Sequence, residues 1–432
     1  MTRSRGAGVG RALRRRSFLQ LTLLAASGGI LSSGAMLRAG AQTRAKVIIV
    51  GGGFAGATCA LALRRLNPTL DVTLMDPDER YVTCPMSNGA LVGLRNLESL
   101  TVSRVGLVRA GVKWVGSRAT SVDAGRRLIR TTGGGVFAYD RLVMAPGIRF
   151  LWGTPQGYTP AAAQVMPHAW QAGEQTRLLA GRLRDIRDGG VVAISVPAGP
   201  MRCPPGPFER ASLIAGYLQQ RKPRCKVLIF DANNHFPRQD VFSDAWAQLY
   251  PGMIEWIPVV ADGAVTRVAT ATMTLYTSQG AHRVDVANII PPQAPAPLAV
   301  ETGLAAARGW CPVKSDSFES TQIPHVHVIG DACIADPMPK SASAAHSQAR
   351  QCALAIVASL QERDTPAPQF ESVCYSLLAP GRALAIHGRF RSVDGVIEQL
   401  PGAQDAESGP PSQEAANADS WYKNIVLDSF GS

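Results

Sequence analysis

Apolar residues fall in short unbroken runs along the chain, and stretches with helical spacing follow several of them. "KVIIV" (46–50), "DVTLMD" (71–76), "YDRLVMAPG" (139–147), "GGVVAISV" (189–196), "KVLIFD" (226–231) and "PHVHVIGDAC" (324–333) each predict a buried strand. "GFAGATCALALRRL" (53–66), "ERASLIAGYLQQ" (209–220) and "QARQCALAIVASL" (348–360) predict helices. Strands alternating with helices in this way imply an α/β fold with parallel sheets. After residue 361 the pattern changes. "ALAIHGRF" (383–390), "GVIEQL" (395–400) and "SWYKNIV" (420–426) predict a small α+β unit of sheet and helix, and the polar, Pro- and Gly-bearing "QDAESGPPSQEAANAD" (404–419) reads as a surface loop.

These patterns divide the chain into a leader (1–41), a dinucleotide-binding domain in two pieces (43–150 and 291–360), an inserted second Rossmann-like domain (151–290) and a C-terminal unit (361–432). The total of 432 residues has room for that many cores. Of the net charge of +12, seven arginines lie in residues 1–41, leaving +5 spread over the rest without a basic run. That distribution argues against a nucleic-acid partner.

The leader itself has the marks of an export signal. A basic stretch, "RRRSFLQL" (14–21), precedes an apolar run broken by Gly29, Ser32, Ser33 and Gly34, and small residues at 39–41 follow. Arg15-Arg16-Ser17-Phe18-Leu19 has the twin-arginine spelling, so the expected location is the periplasm. No later stretch approaches the length of apolar sequence a membrane span needs, so an integral membrane protein is not expected.

Gly51, Gly53 and Gly56 sit between the first strand and the first helix with G-x-G-x-x-G spacing. In that motif the first glycine makes a tight turn, the second lets a pyrophosphate approach the backbone, and the third lets helix pack on strand. Asp76 ends the second strand, where a carboxylate accepts from a ribose hydroxyl. The stretches ending in Pro146-Gly147 and Gly330-Asp331 resemble those of two-dinucleotide-domain flavoproteins of the glutathione-reductase type, which implies FAD, with Asp331 on the ribityl chain. Where such proteins carry a second glycine loop for NAD(P)H, this chain has "VPAGPMRCPPGPFER" (196–210). Its prolines have no N–H to offer a phosphate, so a nicotinamide partner is not expected.

Eight cysteines remain to be placed. Cys59 and Cys352 lie inside predicted helices and read as small core residues, as do Cys225 and Cys311, while Cys333 follows Gly-Asp-Ala close to the cofactor. Cys84 in "ERYVTCPMSNG", Cys203 among prolines and Cys374 in "FESVCYSLLAP" have less ordinary surroundings. There is no C-x-x-C-H haem motif, and no metal site is expected.

Taken together, "TCPMSN" (83–88), "RCPPGPFERAS" (202–212), "GDACIADPMPKSAS" (330–343), "CYSLLAP" (374–380) and "SWYKNIVLDSFG" (420–431) make a chain that resembles the flavoprotein subunit of flavocytochrome c sulfide dehydrogenase, and more distantly sulfide:quinone oxidoreductases. The resemblance implies FAD joined at its 8α position to Cys84, a redox-active Cys203–Cys374 disulfide, Glu209 managing protons, Trp421 closing over the flavin, and a c-type cytochrome subunit as electron acceptor. His346 and Pro85 depart from the expected pattern. Pairing of Cys203 with Cys333 remains open, as do a quinone acceptor and a purely electron-relaying role.

Overall fold

The computed structural model describes residues 44–306, 309–402 and 409–431; the expected leader lies outside them. Two parallel sheets carry the architecture. The first has the order Val326–Val328, Arg141–Met144, Lys46–Val50, Asp71–Met75, Lys113–Val115, with every neighbouring pair parallel. The second has the order Ile254–Ile257, Lys226–Asp231, Val191–Val196, Val286–Ile289, again parallel throughout. Helices cover the strands, which is why the strand sequences are apolar without alternation. Val47, Ile49, Leu74, Leu142, Val143 and Val328 pack into one core with the helices Phe54–Leu66 and Ala342–Leu360, and Val192, Ile194, Val227 and Ile229 into another with Gly206–Arg221.

The C-terminal residues form an antiparallel sheet of Gln369–Ala379, Arg382–Val393 and Val396–Gln399, whose first hairpin turns at Gly381 (φ +71°). Strand Gln369–Ala379 lies against helix Gly206–Arg221, so the C-terminal sheet meets the loop that replaces the second glycine turn.

One expectation fails. The reading of 404–419 as a surface loop does not hold for residues 411–419, which begin the helix Pro411–Phe430. Proline is favoured in a helix's first turn because its missing N–H has no partner there anyway. Glu414 then accepts from the Gly409 N–H (2.8 Å). Ala418 and Tyr422 complete the element by burying one face against Met86 and Leu100. The polar composition belongs to the other face.

Candidate active site

The glycine turn is built as its spacing predicts. Gly51 has φ +97°, and a Cβ there would lie 2.1 Å from the Ala145 carbonyl oxygen. A Cβ on Gly56 would lie 1.8 Å from the Gly51 oxygen, so only glycine lets helix Phe54–Leu66 sit this close to its strand. Gly53 differs: a Cβ there would meet only the Tyr81 phenol, at 3.8 Å, leaving the space a ligand's phosphates would use. Asp76 accepts from the Gly52 N–H (2.6 Å) and from the Arg104 guanidinium (3.0 Å). Arg104 is 2 % exposed and also donates to the carbonyls of Gly52 and Asp78. Asp331 stands in the short helical turn Gly330–Ala332 after strand Val326–Val328. Burial pushes its carboxyl up, while Arg202 and Lys340 draw it back down. The glycine turn, Asp76 and Asp331 thus stand at carboxyl ends of one parallel sheet, where open α/β sheets bind ligands. These residues fit a flavin dinucleotide.

The cysteines separate by exposure. Cys84, Cys203 and Cys374 are part-exposed, whereas the other five are buried, and all eight are free thiols. Cys84 follows the buried Thr83, whose hydroxyl is hydrogen-bonded to the Tyr422 hydroxyl (2.7 Å) on the C-terminal helix. Cys203 holds a left-handed backbone (φ +53°), which is strained for a residue with a Cβ. Its N–H donates to the Lys340 carbonyl (2.8 Å), and the Lys340 ammonium donates to the Asp331 carbonyl (3.0 Å). The cysteine loop is therefore tied through Lys340 to the backbone of Asp331.

Surrounding protein pushes the Cys203 thiol well above its ordinary range, and Cys374 and Glu209 add to the effect. The Cys374 thiol is pushed up to about 11, by burial first; a hydrogen bond with Ser341 eases the shift and the Glu209 charge adds to it. Glu209, 8 % exposed on helix Gly206–Arg221, accepts from the Leu377 N–H (3.1 Å) and from Asn88 Nδ2 (2.7 Å). Burial raises its carboxyl, and those two bonds together with Arg210 moderate the rise. Cys333 has different company: Lys340, Cys311 and Asp331 act on it most after burial, and its thiol donates to the Gly330 carbonyl (3.2 Å). Cys374 and Glu209 thus bear on Cys203, and Glu209 on Cys374 in turn, whereas neither Cys203 nor Cys374 is among the groups acting on Cys333.

Trp421 is half-buried on the C-terminal helix, its ring 5.8 Å from that of Tyr375, next to Cys374. His346 lies 4.0 Å from Asp428 of that helix. Sequence reasoning missed Arg104, Arg202, Arg210 and Asn88. The last three stand inside motifs already quoted, one or four residues from Cys203, Glu209 or Cys84. Nothing around Arg104 in "TVSRVGLV" marks it.

Three family models match the chain. Residues 176–291 match the central-domain model of the sulfide dehydrogenase [flavocytochrome c] flavoprotein chain, and residues 366–430 match the flavin-binding model of flavocytochrome c sulphide dehydrogenase. Residues 45–164 match the pyridine nucleotide-disulphide oxidoreductase model. A sulfide dehydrogenase [flavocytochrome c] flavoprotein chain from Chlorobaculum thiosulfatiphilum is 54% identical over 43 residues, 10% of this chain and 90% of that sequence. Mouse mitochondrial sulfide:quinone oxidoreductase is 22% identical over 333 residues, 71% of this chain and 70% of that protein. The solved sulfide:quinone oxidoreductase of Aquifex aeolicus superposes with a TM-score of 0.69 at 18% identity, covering 90% of this chain and 92% of the other. The fold is that of the pyridine nucleotide-disulphide oxidoreductases, and the chain belongs to the flavoprotein-chain family of flavocytochrome c sulfide dehydrogenase.

Proposed function

We propose that the chain oxidises sulfide to sulfur or polysulfide in the periplasm after twin-arginine export, with FAD held by a thioether from Cys84 and electrons passed to a c-type cytochrome subunit. The observation that carries this reading is that strand Gln369–Ala379, with Cys374, packs on helix Gly206–Arg221 and bonds to its Glu209, directly after the Cys203 loop that is tied through Lys340 to Asp331. A nicotinamide-using relative would need phosphate donors there, and Pro204, Pro205 and Pro207 supply none.

The residues imply the following chemistry. In the oxidised enzyme Cys203 and Cys374 are joined. Hydrosulfide attacks one sulfur, forming the S–S bond of a persulfide, breaking the Cys203–Cys374 bond and releasing the other cysteine as thiolate. The Ser341 hydroxyl hydrogen-bonds to Cys374 and would steady that sulfur as the leaving thiolate, with attack on Cys203. A second hydrosulfide takes the outer sulfur away as a disulfane anion. Glu209 accepts the proton released, and the two cysteines hold the electron pair. FAD, when bound by the Gly51–Gly56 turn, Asp76, Asp331 and Cys84, supplies the two-electron acceptor that restores the disulfide and the one-electron donor for a cytochrome.

The C-terminal helix turns Ala418, Tyr422, Ile425 and Phe430 into the protein and leaves Leu427 exposed, so most of its apolar face is already covered and a protein acceptor is the reading preferred here. Among the described residues no helix is long and apolar enough to cross a membrane.

Anaerobic mixing of the flavin-loaded protein with sulfide tests the reading. Wild type is expected to lose its oxidised-flavin absorbance, and Cys203→Ser to keep it. An unbleached wild type with its disulfide intact would reject sulfide oxidation.

A further inference from the structure

Glu209 is held by the segments that carry the other two cysteines. Its Oε1 accepts from Leu377 N–H, three residues beyond Cys374, and its Oε2 accepts from Asn88, four residues beyond Cys84, while Glu209 itself stands six residues beyond Cys203. One carboxylate therefore joins all three cysteine-bearing segments.

Asn88 is locked in turn. Its Oδ1 accepts from Arg210 Nε (2.9 Å), and its Nδ2 donates to Glu209 (2.7 Å) and to the Gly206 carbonyl (3.1 Å). Reversing the amide would set donor against donor at Arg210 and acceptor against acceptor at Glu209. Arg210 is 2 % exposed and has no ion-pair partner at salt-bridge distance among the described residues. Its remaining bonds go to the carbonyls of His168 (2.9 Å) and Ala169 (2.6 Å) and to Asn288 Oδ1 (2.8 Å), and it lies 4.9 Å from the centre of the Trp170 ring. A buried cation without a paired anion is costly, and Glu209 is the anion nearest to offsetting it.

We propose that Asn88 and Arg210 are positioning residues that hold Glu209 as the proton acceptor of the cysteine pair, the Arg210 charge acting on Glu209 through the fixed Asn88 amide. The inference rests on the sulfide chemistry above. The titratable groups bearing on Glu209 and Arg210 are Cys203 in the loop before their helix, Cys374 on strand Gln369–Ala379, Cys84 on the loop leading to Asn88, and His168, which the Arg210 charge helps to keep neutral. Asn88 is neutral, so its loss changes no charge but removes one of the two donors to Glu209. The carboxylate form is then less favoured, and the pH at which Glu209 gives up its proton rises by about one unit.

An infrared pH titration of the flavin-loaded protein reads this directly, the Glu209 carboxyl band being identified by its loss in Glu209→Gln. Asn88→Ser is expected to raise the midpoint by about one unit and to move the acid limb of sulfide-driven bleaching in the same direction, a tenfold slower reaction on that limb for each unit. Asn88→Asp, of the same size, is expected to raise it further because two carboxylates then face each other. A midpoint equal to wild type in both variants, with wild type bleached by sulfide, would overturn the positioning role alone. An unbleached wild type overturns the sulfide reading, while the infrared midpoints still decide whether Asn88 tunes Glu209.

Discussion

Alanine at Gly56 and at Gly53 should separate packing from ligand approach. At Gly56 the new methyl would sit 1.8 Å from the Gly51 oxygen and 3.2 Å from Ile49 Cγ2. Reaching ordinary contact, about 3.4 Å, requires the helix and the turn to part by roughly 1.6 Å. Overpacking of that kind costs about 1–3 kcal/mol, and the gain of roughly 1 kcal/mol in helix propensity from glycine to alanine offsets only part of it. The displaced atoms belong to the turn that would cradle the pyrophosphate, so cofactor loading falls with stability. At Gly53 the methyl meets only the Tyr81 hydroxyl, at 3.8 Å, so the fold is unaffected and the ligand's space is lost. The assay is flavin content per purified chain alongside a thermal melt. Gly56→Ala should lower both by clear margins, and Gly53→Ala should empty the flavin while leaving the melt of flavin-free protein within about 2 °C of its parent. Full flavin in Gly53→Ala, or an unchanged melt in Gly56→Ala, would refute the account of the turn.

Other outcomes follow from the same geometry. Acid precipitation should leave flavin on the wild-type chain and release it from Cys84→Ser; release from both would mean no covalent link, and retention in both would place it on another residue. Arg104→Ala should cost about 3 kcal/mol or more, since it strips Asp76 and the Gly52 carbonyl of a buried donor, measurable by denaturant unfolding. His168, 4 % exposed, is held near pKa 3 by burial first and by Arg210 and Arg202 next, so the folded chain keeps it neutral. The unfolded chain protonates it below about 6.5, and stability should fall as pH drops from there toward 3, by up to about 1.4 kcal/mol per unit. His168→Gln should flatten that slope in urea titrations, and an unchanged slope would contradict the assignment.

The strands, the glycine turn and the two acids at strand ends were legible in the sequence because each depends on neighbours within a few residues: unbroken apolar runs, G-x-G-x-x-G spacing, an acid closing a run. The oddness of Cys203 was legible for the same reason, since prolines stand where phosphate donors would. Residues 411–419 were misread because composition reports polarity and not which face is polar; only contact with Met86 and Leu100 turns that stretch into half of a helix. The working site itself required the folded chain. Glu209 meets Asn88 across 121 residues and Leu377 across 168, and Arg104 reaches Asp76 through a turn with no motif. Local spacing fixes which backbone shapes and reactive groups exist, but a hydrogen bond between distant segments forms only after sheet order and helix packing have closed the loops between them.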